Sequence, residues 1–119
     1  MAHRQRVIST TYPYLPIRVQ LRGQPREALA LVDSGFTGDL VIPTGALSWV
    51  PGLPDARWLG AGQWQDRGRS RLLGALEIVG LPPVPATLTV LGNEYRLGRG
   101  IIDQFRVIFD HGRRLIVET

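Results

Sequence analysis

A carboxylate that directly follows an apolar run sits where acid–base chemistry is easily arranged, and Leu29-Ala30-Leu31-Val32-Asp33-Ser34-Gly35 has that form. The run brings Asp33 to the edge of an apolar core. Ser34 and Gly35 permit a tight turn in which backbone N–H groups and the Ser34 hydroxyl can hold the carboxylate. Taken alone, the tripeptide also fits an ordinary side-chain-capped turn ending a strand. The rest of the inventory narrows the chemistry. The chain has 119 residues, no cysteine and no lysine, so all 14 of its basic residues are arginine. Disulfides, thiolate catalysis and Cys-built zinc sites are thereby excluded, and so are Schiff bases and the P-loop lysine. His3 and His111 are too few for a histidine metal cage, and no cofactor or metal is expected. What is left is chemistry by carboxylate, hydroxyl, arginine or backbone.

The elements that must position Asp33 read as strands. Ile17, Val19 and Leu21 alternate with Arg18, Gln20 and Arg22, the period of a half-buried strand. Gly23-Gln24-Pro25 predicts a turn, and Arg26 to Val32 a hairpin partner whose run from Ala28 suggests burial on both faces. After Asp33-Ser34-Gly35 the chain resumes extended structure at Leu40-Val41-Ile42 and stops at Pro43. A helical turn is predicted near Ala46 to Trp49. Arg57-Trp58-Leu59 and Leu72 to Val79 flank a glycine-containing stretch that has the look of a long hairpin, and Val84 to Leu91 is a further strand. Ile101, Ile102 and Phe105 fit a short helix from Gly100 to Phe105. Val107 to Phe109 and Leu115 to Val117, joined by Asp110-His111-Gly112, form a closing hairpin. Residues 1–10 are polar and basic around Val7-Ile8, a mobile arm or an edge strand.

Composition agrees with many turns and short strands. Gly 14 and Pro 9 are high for 119 residues, and this length makes a single domain over 1–119, with residues 1–14 as a flexible or dimer-contacting arm. A net charge of +4 is too modest to favour a nucleic-acid partner. No stretch approaches the length of a membrane span, and the N-terminal residues lack the apolar run of a signal peptide, so the expected setting is the cytoplasm, with no membrane partner.

Context sharpens the reading of Asp33. Ala30-Leu31-Val32-Asp33-Ser34-Gly35-Phe36-Thr37-Gly38, followed by Leu40-Val41-Ile42-Pro43, resembles the retropepsin-like aspartic proteases, and most closely the bacterial branch with an Asp-Thr-Gly-Phe type motif. Leu97-Gly98-Arg99-Gly100-Ile101-Ile102-Asp103-Gln104-Phe105 is similar to the family's apolar-Gly segment and following helix, whose backbone crosses beneath the catalytic loop. Arg106 to Asp110 and Arg113 to Glu118 are similar to its C-terminal strands. In order, these matches cover most of residues 17–118.

The resemblance implies a mainly β fold, a closed retropepsin-like barrel with one short helix, active as a homodimer. It implies an aspartic endopeptidase in which Asp33 is the acid–base residue, with Ser34 and Gly35 shaping its loop. Two carboxyls sharing one proton are required. Asp39, Asp55, Asp66, Asp103 and Asp110 all stand in polar or turn settings, so the second carboxyl is expected from Asp33 of another copy. Phe36 and Thr37 would contact an extended peptide substrate. Leu59, Gly60, Ala61, Gly62 and Trp64 would belong to a flap closing over it. Leu97, Gly98 and Arg99 would support the loop, with Arg99 pairing to Asp39. A reading of another class stays open: a catalytically silent dimer of this fold that binds a protein or nucleic-acid partner in its groove or on its basic face.

Overall fold

Ile17, Val19 and Leu21 point inward as their alternation predicts, and Leu15 begins the same buried face. The computed structural model, which describes residues 4–49 and 70–119, places them on β2 (Tyr14–Leu21). β2 pairs antiparallel with β3 (Gln24–Val32), and the turn between them lies earlier than predicted. Arg22 and Gly23 have φ of 52° and 77°, the twist of a two-residue hairpin loop, so Gln24 and Pro25 are already in the ladder. Ala30 and Val32 are buried, but Leu29 is 50% exposed. Burial of β3 on both faces is thus corrected: a single-layered barrel wall has one face on the core and the other open.

Six strands close the barrel in the order β2-β3-β7-β4-β6-β5, where β4 is Leu40–Ile42, β5 Ser70–Ile78, β6 Val84–Val90 and β7 Tyr95–Leu97. A 3₁₀ turn, Thr44–Trp49, takes the place of the helical turn predicted at Ala46 to Trp49. The strand predicted at Arg57 to Leu59 lies outside the described residues, and among those described β5 pairs with β2 and β6. Inside the barrel, Leu15, Ile17, Val19, Leu21, Leu40, Ile42, Leu76, Leu88 and Leu97 are at most 2% exposed. Each such side chain contributes about 1.5–3 kcal/mol on burial, so the wall carrying Asp33 is anchored by the core beneath it. Among the described residues, no helix is long and apolar enough to cross a membrane.

The predicted helix is shorter than its spacing suggests: α1 (Arg99–Ile102) is a single turn, buried through Ile101. It leads into the closing hairpin, β8 (Arg106–Asp110) and β9 (Arg114–Glu118), whose turn uses positive φ at His111 and Gly112. Of the two readings for the N-terminal residues, the edge strand is the one formed. β1 (Arg6–Ser9) pairs with β9 to give a second sheet ordered β1-β9-β8.

Glu118 clips that sheet together. Arg6 donates to its Oε2 from Nη2 at 2.6 Å and from Nε at 2.9 Å, and Arg106 lies 3.7 Å from Oε1. The Arg6 hydrogen bonds hold the Glu118 carboxyl below its ordinary pKa, against an opposing push from desolvation. A depressed carboxyl stabilises the fold above its unfolded pKa, and that contribution is lost as pH falls through the folded value. Glu118→Gln is therefore expected to melt below wild type at neutral pH. Thermal unfolding from pH 7 down to about pH 3 should show the two curves converging, because acid removes from wild type what the substitution has already removed.

Candidate active site

Asp33 leaves the barrel at the end of β3. Its backbone N–H donates to Leu97 O at 2.9 Å, and the preceding Val32 N–H to Pro13 O at 3.1 Å. Gly35 N–H donates to Asp33 Oδ1 at 3.0 Å, and Phe36 N–H to Asp33 O at 3.2 Å, so the turn grips the carboxylate through main chain. The Ser34 hydroxyl takes no part in that grip, since Ser34 is exposed and makes no hydrogen bond among the described residues. The Asp33 side chain is 27% exposed, enough to meet water while its base is fixed.

The loop is locked from below by β7. This strand runs parallel to β3 and antiparallel to β4, so the chain after Leu97 passes directly under residues 33–39. Three consecutive N–H groups tie it there: Gly98 to Asp39 O at 2.9 Å, Arg99 to Phe36 O at 2.7 Å, and Gly100 to Gly38 O at 2.9 Å. A Cβ on Gly98 would strike Gly38 O and Phe36 O, backbone atoms that cannot swing aside, so only glycine permits the crossing. The expected support by Leu97, Gly98 and Arg99 is thus a backbone affair. Arg99's side chain pairs with Asp103 at 3.6 Å instead of Asp39. Asp39 accepts the Thr87 N–H at 2.8 Å, and its carboxylate fills the space a side chain at Gly100 would need. That corrects the expected Arg99–Asp39 brace: the Arg99 side chain turns to Asp103, four residues on, and Asp39 bonds the β6 backbone.

Two clefts open beside the loop. One, about 430 Å³, is lined by Gly35 to Asp39 together with Thr87 and Thr89. The other, about 140 Å³, lies between Asp33, Phe36, Val41, the Leu91-to-Glu94 turn and Arg96. Phe36 lines both, with its ring laid across Gly38 and Gly98. Thr37 is exposed at the rim of the first. Leu59, Gly60, Ala61, Gly62 and Trp64 lie outside the described residues. Among the described residues, no cluster of three or more His, Asp or Glu is placed to hold a metal.

Sequence reasoning did not assign a role to Arg96, Glu94 or Tyr14, which meet at the same place. Arg96 Nη1 lies 3.5 Å from Asp33 Oδ2 and Nη2 lies 3.9 Å from Glu94 Oε2. Tyr14 OH donates to Glu94 Oε1 at 3.0 Å, and that hydrogen bond to a carboxylate raises the Tyr14 pKa. The signal was present but conditional: Arg96 reaches Asp33 only because β7 lies alongside β3, pairing Arg96 with Leu31.

A buried strand ending in a main-chain-gripped aspartate, with a second strand threading beneath its loop, defines a fold. No family model and no curated protein matches the chain. Among solved structures it is similar to a retropepsin-like aspartic protease from Rickettsia conorii, at 14% sequence identity over 99% of this chain and 94% of that one, with a TM-score of 0.69. The chain has the retropepsin-like aspartic protease fold: a mainly β closed barrel with one short helix.

Proposed function

We propose that the chain is an aspartic endopeptidase working as a homodimer, with Asp33 of each copy forming the dyad. The observation that carries this reading is the Asp33 carboxylate itself. Gly35 N–H fixes Oδ1, Leu97 fixes the backbone, and the residue lines the cleft with Oδ2 3.5 Å from Arg96. Cutting a peptide without metal or covalent intermediate needs a base to take a proton from water and an acid to hydrogen-bond the carbonyl. Two carboxyls about 3 Å apart hold one proton between them and supply both roles. The ionised carboxyl takes the water proton as oxygen attacks the carbonyl carbon, and the protonated one gives its proton to the carbonyl oxygen. A proton then passes to the amide nitrogen as the C–N bond breaks.

Among the described residues there is one such carboxyl. Side-chain hydrogen bonds to other parts of the fold engage Asp39 with Thr87, Glu94 with Tyr14, Asp110 with Arg114 and His111, Glu118 with Arg6 and Glu27 with Arg18. A second copy across a two-fold axis therefore provides the partner aspartate. Within this reading Gly35 and Ser34 shape the loop, Phe36 and Thr37 contact an extended peptide, and residues 59–64 cover it. Incubation with a denatured protein such as casein should yield cleavage that a statine-type transition-state analogue blocks. Cleavage indifferent to that analogue but abolished by a chelator, or no cleavage at all, would overturn the reading.

A further inference from the structure

The guanidinium of Arg96 is the one cation beside Asp33 among the described residues, and it is held loosely. Its distances to Asp33 Oδ2 and Glu94 Oε2, 3.5 and 3.9 Å, are those of charges that attract without a hydrogen bond. None of its five N–H donors is spent in a hydrogen bond to a described residue, and its side chain is 45% exposed. An arginine fork satisfied in this way is still able to take a carboxylate in the shorter, two-pronged geometry it prefers. Phe36, Val41 and Leu91 line the same cleft, so the half-exposed charge acts beside apolar walls.

We infer that Arg96 makes this cleft select peptides that carry a carboxylate side chain next to the bond to be cut; the inference rests on the endopeptidase reading above. Position follows from reach. On the endopeptidase reading the reacting carbonyl meets the Asp33 carboxylate, Arg96 lies 3.5 Å from its Oδ2, and an extended substrate advances about 3.3 Å per residue. Only the residues flanking the bond can bring a side chain to the guanidinium. The unspent donors of Arg96 favour an acid there. Because the two Asp33 carboxyls hold one proton between them, one of the two is neutral at any moment. The Arg96 beside that one faces a single carboxylate, Glu94, whose other oxygen already accepts the Tyr14 hydroxyl. In that half-site the Arg96 fork has no hydrogen bond to a described residue, so a substrate Asp or Glu can take it in two-pronged geometry while Lys or Arg is repelled.

The test uses one peptide that the dimer cuts in a casein digest, remade with Glu, Gln or Lys at each residue flanking the cut. Wild type should favour Glu over Gln by about tenfold in kcat/KM at one flanking position, with Lys worst, and the ratio should shrink in about 1 M salt. Arg96→Gln should bring the Glu/Gln ratio close to 1, and Glu94→Gln should raise it above wild type. Taking the ratio within each variant removes any general change in activity. A wild-type ratio near 1, or one that survives Arg96→Gln, would overturn the inference. If no peptide is cut, the endopeptidase reading falls, and binding of fixed-sequence extended peptides that differ only in Glu or Gln at one central residue decides the inference separately. A Glu preference lost in Arg96→Gln supports it, and equal binding of the Glu and Gln peptides overturns it.

Discussion

Asp33→Asn is expected to lower kcat/KM for peptide cleavage by at least about 10³-fold, measured on the purified variant at matched chain concentration. The substitution keeps nearly everything except the chemistry. Asparagine retains an oxygen that can accept the Gly35 N–H, now made by Asp33 Oδ1 at 3.0 Å, so the turn has no reason to open. The backbone bond to Leu97 O is untouched, as are the three N–H ties from Gly98, Arg99 and Gly100 that hold the loop. What disappears is an oxygen able to hold and release a proton. Two facing amides can neither take a proton from water nor give one to a carbonyl.

The cost to the fold should be small, and this separates a catalytic role from a structural one. Asp33 loses its 3.5 Å contact with Arg96, but that pair is part-exposed and longer than a hydrogen bond. Such pairs contribute about 0–1 kcal/mol, a few degrees in Tm at most for a domain of this size. A large drop in activity with Tm almost unchanged is the expected combination. Wild-type cleavage rates in Asp33→Asn would sink the proposed chemistry.

How far the sequence foretells these arrangements depends on whether a feature is local. β2 is legible from Ile17, Val19 and Leu21 because an antiparallel strand with one face on the core must alternate. β3 is half legible. Its apolar run marks a strand, but the exposure of Leu29 follows from the barrel being one layer thick, which no window of residues encodes. β7 escapes periodicity altogether, since Tyr95–Leu97 is three residues long and its place is set by partners more than fifty residues away. The turn at Asp33 could be read from Asp-Ser-Gly, although Ser34 is exposed and main chain does the holding. Gly98 is visible as a glycine, but its necessity is visible only once Phe36 O and Gly38 O are seen beneath the missing Cβ. Arg96 is the extreme case. Its charge is plain in the sequence, and its target depends wholly on β7 lying beside β3.

The second large effect is expected when active and inactive chains are mixed, because it asks whether the site belongs to one chain or to two. With nine parts of Asp33→Asn to one of wild type, and time for subunits to exchange, random pairing gives a wild-type chain a wild-type partner about one time in ten. A mixed dimer holds one carboxyl and one amide, and the amide cannot carry the shared proton through the cycle. Activity per wild-type chain should therefore fall about tenfold, while nine parts of an unrelated protein leave it unchanged. Substrate must exceed total chains, so that inactive dimers do not merely sequester it. Dilution supplies the matching measurement: below the dimer dissociation constant, activity per chain should fall in proportion to concentration. A self-sufficient chain would show neither effect. The hydrogen bonds that engage Asp39, Glu94, Asp110 and Glu118 with partners of their own are the reason to expect both. On the proposed reading a lone Asp33 has a base without an acid, and a second copy across a two-fold axis would make each chain half of the same site.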